Sequence, residues 1–127
     1  MPRDPARNPK DDRIRAQHML DAARDVVALA NGRSLSDLRA DMPLRRAMLN
    51  AIQEIGEAAA TVSSFGRERV PGIPWSAVVA MRHRLVHGYD EINYEVVWKV
   101  ATEEVLVLIA ALEAAFLSWT LAEPPKA

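Results

Sequence analysis

The sequence predicts an all-α fold, a bundle of four to five helices, on three observations. Apolar residues recur at three- and four-residue steps through most of the chain. Cap residues and prolines fall between those stretches, and no segment offers a serious strand signal. The 127 residues suit one domain and are enough to bury a core without staples.

The first helix is expected over about Asp11–Ala30. Asp11 and Asp12 suit its positive end, Asn31-Gly32 its C-cap, and Ile14, Leu20, Ala23, Val27 and Ala30 form a buried stripe. A short second helix covers Ser34–Ala40, with Ser34 and Asp37 spaced as a capping box. Pro43 belongs in the first turn of a third helix after Asp41, which reaches about Ser63. That helix presents Leu44, Met48, Ala51, Ile55, Ala58 and Val62 on one face. Gly56 inside it costs up to about 1 kcal/mol relative to alanine, which a close helix–helix contact would explain. Phe65–Pro74 is expected as the main loop, and Pro74 opens a fourth helix that Gly88 stops. Asn93 caps a long last helix to about Leu121, apolar around much of its circumference. Such a helix needs burial on more than one side, and a homodimer interface supplies it.

Composition narrows the function. The chain has no cysteine, which removes disulfides, thiolate metal sites and a cysteine nucleophile, and is compatible with a reducing cytoplasm. Half the residues are hydrophobic and 26% are charged, as in ordinary globular proteins. With 16 basic and 17 acidic residues the net charge is −1, so any contact with nucleic acid has to be local. The polar, proline-rich opening, 1–10, reads as a flexible tail rather than a signal peptide or anchor, and 123–127 as a short C-terminal tail. The helical domain is expected over 11–122. Its apolar runs are too short to span a membrane.

The chemistry concentrates in Arg82-His83-Arg84-Leu85-Val86-His87-Gly88-Tyr89. His87 is expected at the end of the fourth helix, five residues after Arg82 and two before Tyr89. A histidine exchanges protons near neutral pH, and an arginine holds a phosphate with two donors. The pair suits metal-free RNA cleavage, in which a base deprotonates the 2′-hydroxyl and a guanidinium stabilises the crowded phosphate. DNA lacks that hydroxyl. Blander readings stand beside this one. A histidine at a helix C-terminus is more often a favourable cap, Arg82 and Arg84 are ordinarily solvated charges, and Tyr89 is an aromatic loop plug. His83 and His87 are four apart, but Arg84 stands where the zinc-protease pattern wants glutamate and no third ligand is near. His18 reads as structural or exposed. Arg67-Glu68-Arg69 reads as a solvated loop, or else an RNA-facing edge.

The segment Met81–Tyr89 resembles the Arg-x4-His-x-Tyr signature of HepT-like toxins, a branch of the HEPN ribonucleases. Further stretches match in order over about 11–115: Asp11-Asp12-Arg13-Ile14, Ile52-Gln53-Glu54-Ile55-Gly56-Glu57-Ala58-Ala59, Ile73-Pro74-Trp75 and Val96-Val97-Trp98. The resemblance implies a HEPN-like helical bundle that dimerises to join two signatures in one RNA-cutting groove. Arg82 and His87 become the catalytic pair and Tyr89 the third signature residue, with no cofactor or metal. It also implies a cytoplasmic toxin whose partner is a small nucleotidyltransferase antitoxin of the MntA type, which attaches AMP to Tyr89. The family usually has Asn after the signature arginine; His83 stands there and offers a second proton donor. Glu57 is a supporting candidate at the groove. The alternative is a non-catalytic helical module of the same superfamily that binds a nucleotidyltransferase or RNA.

Overall fold

A computed structural model describes residues 9–87 and 91–122. Helices α1 (Pro9–Ala30), α2 (Leu35–Ala40), α3 (Met42–Thr61), α4 (Ser64–Glu68), α5 (Trp75–Val79) and α6 (Met81–Leu85) follow one another. Two-residue strands β1 (Val86–His87) and β2 (Glu91–Ile92) come next. Helix α7 (Tyr94–Lys99) then runs through a π-helical turn (Val100–Glu104) into α8 (Val105–Ala122). The all-α expectation holds.

Local chemistry explains most of the element boundaries. Ser34 accepts from the Asp37 N–H while Asp37 accepts from the Ser34 N–H, so the capping box closes as predicted. Asp41 caps α3 by accepting from Leu44 N–H at 3.0 Å, with Pro43 in the first turn. Asn93 caps α7 through Val96 N–H at 3.1 Å. Helix α1 lies antiparallel along α3 and also meets α8, and Met19, Ile52, Ile55, Leu112 and Trp119 are buried in a core that they share with Val97 of α7. Gly56 marks a close approach: a Cβ there would stand 3.3 Å from the Val78 carbonyl oxygen on α5.

Several expectations are corrected. Ile14 is 48% exposed, because the apolar stripe of α1 packs fully only from Ala16 onward. The expected loop after Ser63 begins with α4, which Ser63 caps through Gly66 N–H. The fourth helix does not run unbroken from Pro74 to Gly88: it breaks at Ala80 (φ −81, ψ 3) and ends at Leu85. There the Leu85 carbonyl accepts from Asn93 N–H at 2.8 Å, which takes the oxygen a further helical turn would use.

Asp12 does more than complement the helix dipole. It is fully buried and accepts from Ser63 N–H at 2.9 Å and Ser63 Oγ–H at 2.5 Å. A buried carboxylate needs such donors. The contact fastens the start of α1 to the α3–α4 junction, and Gly66 lies so close that a Cβ would sit 2.6 Å from the Asp12 carboxyl. Arg67 is likewise no solvated loop residue. Its guanidinium donates to Val62 O and Ala59 O, closing the end of α3, and lies over the Trp75 ring. Arg69 stacks on Phe65 and Trp119.

Candidate active site

The segment singled out from sequence runs from α6 through β1, and its last two residues, 88 and 89, lie outside the described residues. Helix α6 has only five residues, too few to form without tertiary support. Met81 and Leu85, both buried, face it into the core. His83 and Arg84 lie on its exposed side. The chain then leaves the helix as β1, which pairs antiparallel with β2 in the register Val86 with Ile92 and His87 with Glu91. This ladder is too short to leave a period of two in the sequence. Together with the Asn93–Leu85 bond, it holds 85–87 against 91–93 through hydrogen-bonded backbone.

The backbone therefore carries Arg82 within α6 and His87 in the strand that follows it, rather than both on one helix. The side chains of Arg82 and His87, and Tyr89 as a whole, lie outside the described residues. His83 is exposed, its N–H donating to Ala80 O at 2.9 Å. Glu57 is exposed on α3 and lines an acidic groove against α1 with His18, Asp21, Asp25 and Glu54.

Arg84, expected as a solvated charge, is held. Its Nη1 and Nη2 donate to Oε1 and Oε2 of Glu104 at 2.7 and 2.8 Å, a two-pronged pair. The hydrogen bonds raise the guanidinium above its ordinary pKa and lower the Glu104 carboxyl below its own, against a smaller opposing effect of burial. Glu104 closes the π-helical turn, and such turns concentrate at functional places in helices. Nothing in the sequence announced this contact, since a π turn is one inserted residue in an otherwise regular apolar pattern.

Helix α8 leaves an apolar stripe uncovered. Leu106, Val107 and Leu117 are 51%, 66% and 73% exposed, consistent with a helix apolar on more faces than one chain covers. No described helix is long and apolar enough to cross a membrane.

Comparison with known proteins adds to this geometry. The sequence profile of the family described as ribonuclease HepT-like matches residues 19–115. An RNase-named protein of Methanocaldococcus jannaschii is 31% identical over 87 residues, 68% of this chain and 80% of the relative. One of Caldanaerobacter subterraneus is 29% identical over 96 residues, 76% of this chain and 86% of the relative. A third, of Thermococcus cleftensis, carries the name of a ribonuclease HepT and is 30% identical over 69 residues, 54% of this chain and 63% of the relative. All three names are given as candidate assignments. No solved structure matches at a significant level.

Proposed function

The chain belongs to the HepT-like ribonuclease family, and on that premise we propose that it is an endoribonuclease toxin that cuts RNA without a metal ion. The observation that carries the reading is the helix-to-ladder junction, where α6 bears Arg82 and the paired strand directly after it bears His87. A hydrogen-bonded junction of this kind limits how far two groups on it can drift apart, which is what positioned catalysis needs.

In the proposed step the His87 imidazole takes the proton of a ribose 2′-hydroxyl. The 2′-oxygen bonds to the adjacent phosphorus and the bond to the 5′-oxygen breaks, leaving a 2′,3′-cyclic phosphate. A protonated imidazole, or water, returns a proton to the departing 5′-oxygen; His83, exposed on α6, is the second candidate for that donation. The Arg82 guanidinium stabilises the charge that builds on the phosphate oxygens.

The same reading makes the protein a homodimer that covers the α8 stripe of Leu106, Val107 and Leu117 and joins two signatures in one groove. Its partner is a nucleotidyltransferase antitoxin of the MntA type that silences it by transferring AMP to the Tyr89 hydroxyl. Its setting is the cytoplasm. The rival is a helical module that binds RNA or the nucleotidyltransferase without cutting, favoured by His83 where the family usually carries Asn. Expression in a growing cell separates the two. His87→Ala is expected to relieve growth arrest while remaining folded, and a folded variant that still arrests growth sinks the catalytic reading. Tyr89→Phe is expected to abolish the mass increase produced by the antitoxin, and an unchanged increase moves the acceptor elsewhere.

A further inference from the structure

Helix α6 is poorly supported on one flank. Between α5–α6 and α8 lies a cavity of about 200 Å³ lined by Pro74, Ala77, Met81, Val105, Leu108 and Ala111. Side chains do not fill the space there, so packing alone does not set the distance of α6 from the last helix. Arg84 and Glu104 stand together at the wall of that cavity and join its two sides.

This pair differs from other ion pairs on the molecule. Arg24–Glu113 is a single contact with both side chains more than half exposed, and Arg39–Glu95 is a single contact at 3.4 Å. Arg84 and Glu104 meet on two prongs, with side chains 37% and 32% exposed. Exposed pairs hold little, whereas a planar fork on a carboxylate fixes orientation as well as distance. The wide π turn that ends at Glu104 offsets the helix phase by about one residue, roughly 100°, across this point.

We propose that Arg84 and Glu104 are positioning residues for RNA cleavage, a strap from the π turn that holds α6 and so the backbone from which Arg82 and His87 project. The role rests on the ribonuclease reading above. Displacements of about 1 Å cost on the order of a hundredfold in rate when a reacting group is misplaced. Loosening one strap on a helix that Met81 and Leu85 still anchor is therefore expected to cost about tenfold.

The test uses Glu104→Gln, which keeps shape and one hydrogen bond but loses the charge, together with Arg84→Gln and the charge swap Arg84→Glu with Glu104→Arg. Steady-state cleavage of an RNA oligonucleotide is measured alongside amide hydrogen exchange. Each single variant is expected to lower kcat about tenfold with KM within twofold, and to speed exchange over residues 82–87 while α1 and α3 keep their protection. The swap is expected to restore most of the loss, since it rebuilds the pair with its ends exchanged. An unchanged kcat in both singles overturns the proposal. So does a loss that comes with faster exchange throughout α1 and α3, which marks general destabilisation. A wild-type protein that cuts nothing defeats the ribonuclease reading instead. The exchange data then judge the strap by themselves, and unaltered protection of α6 in Glu104→Gln overturns it.

Discussion

The contact between Asp12 and the α3–α4 junction makes the sharpest stability prediction. Asp12→Ala removes the acceptor of the Ser63 N–H and Oγ–H, and Ser63 is itself buried, so the amide is left without its partner. A buried donor left unpaired costs about 1–3 kcal/mol, and loss of a charge-assisted bond brings the expected total to about 3 kcal/mol. For a chain of this size that lowers Tm by roughly 12 °C. Gly66→Ala attacks the same spot from the other side. Its Cβ would stand 2.6 Å from the carboxyl of Asp12, closer than the atoms tolerate. Overpacking of that kind costs about 1–3 kcal/mol, partly offset by the better helix propensity of alanine. Asp12→Ala removes the carboxyl but keeps its own Cβ, 2.8 Å from the new one, so the cycle uses Asp12→Gly, in whose background Gly66→Ala is expected to be close to neutral. The double-mutant cycle should then show a coupling of about 2 kcal/mol, well above the ~0.3–0.5 kcal/mol within which independent sites add. Urea unfolding at one fixed protein concentration measures it, because association would otherwise enter the stability. Additive effects would refute the packing argument, since they would mean that Gly66 and Asp12 do not compete for the same space.

Three further outcomes follow from the geometry. Gly56→Val pushes side-chain atoms into the Val78 carbonyl, whose oxygen is already 3.3 Å from the Cβ position, and is expected to cost more than about 2 kcal/mol in denaturant unfolding; a neutral result contradicts the close α3–α5 approach. Because Glu104 has its pKa lowered in the folded protein, its contribution to stability is complete above the ordinary glutamate value of about 4.3 and fades as pH falls through the lowered one. The stability difference between wild type and Glu104→Gln should thus be about 1 kcal/mol at pH 7 and shrink as pH falls below the ordinary glutamate range, and a difference that grows on acidification contradicts the assignment. Wild type is expected to sediment as a dimer and Val107→Lys with Leu117→Lys as a folded monomer; a monomeric wild type at micromolar concentration removes the proposed two-fold site altogether.

How legible each feature was depended on how far along the chain its cause lay. The caps at Ser34, Asp41 and Asn93 act on N–H groups three residues away, so residue type and spacing were enough to locate them. Gly56 was readable as an anomaly within a helix, although its neighbour, the Val78 carbonyl, was not. Asp12 looked like a dipole partner because its real partner, Ser63, is 51 residues away. Ile14 fitted the apolar stripe, but periodicity shows which face a residue occupies and not where the neighbouring helices end. The ladder of Val86–His87 with Glu91–Ile92 is too brief to set up a period of two, and the phase offset of the π turn at Val100–Glu104 is hidden in a helix apolar around much of its circumference. Arg84 could be recognised as a charge but not as one end of a strap to a residue twenty positions later. Within the candidate site, Arg82, His87 and Tyr89 stood out through their spacing and the resemblance it carries, while what supports the backbone of Arg82 and His87 emerged only from the fold.

The central claim is that the chain cuts RNA with Arg82 and His87 and without metal. Purified wild type and His87→Ala, each confirmed by intact mass to carry no AMP, should be incubated with total tRNA and mRNA in the presence of EDTA. The account predicts cleavage by wild type alone, with cyclic phosphate ends on the products. Equal cleavage by both proteins, or none by the unmodified wild type, would contradict it.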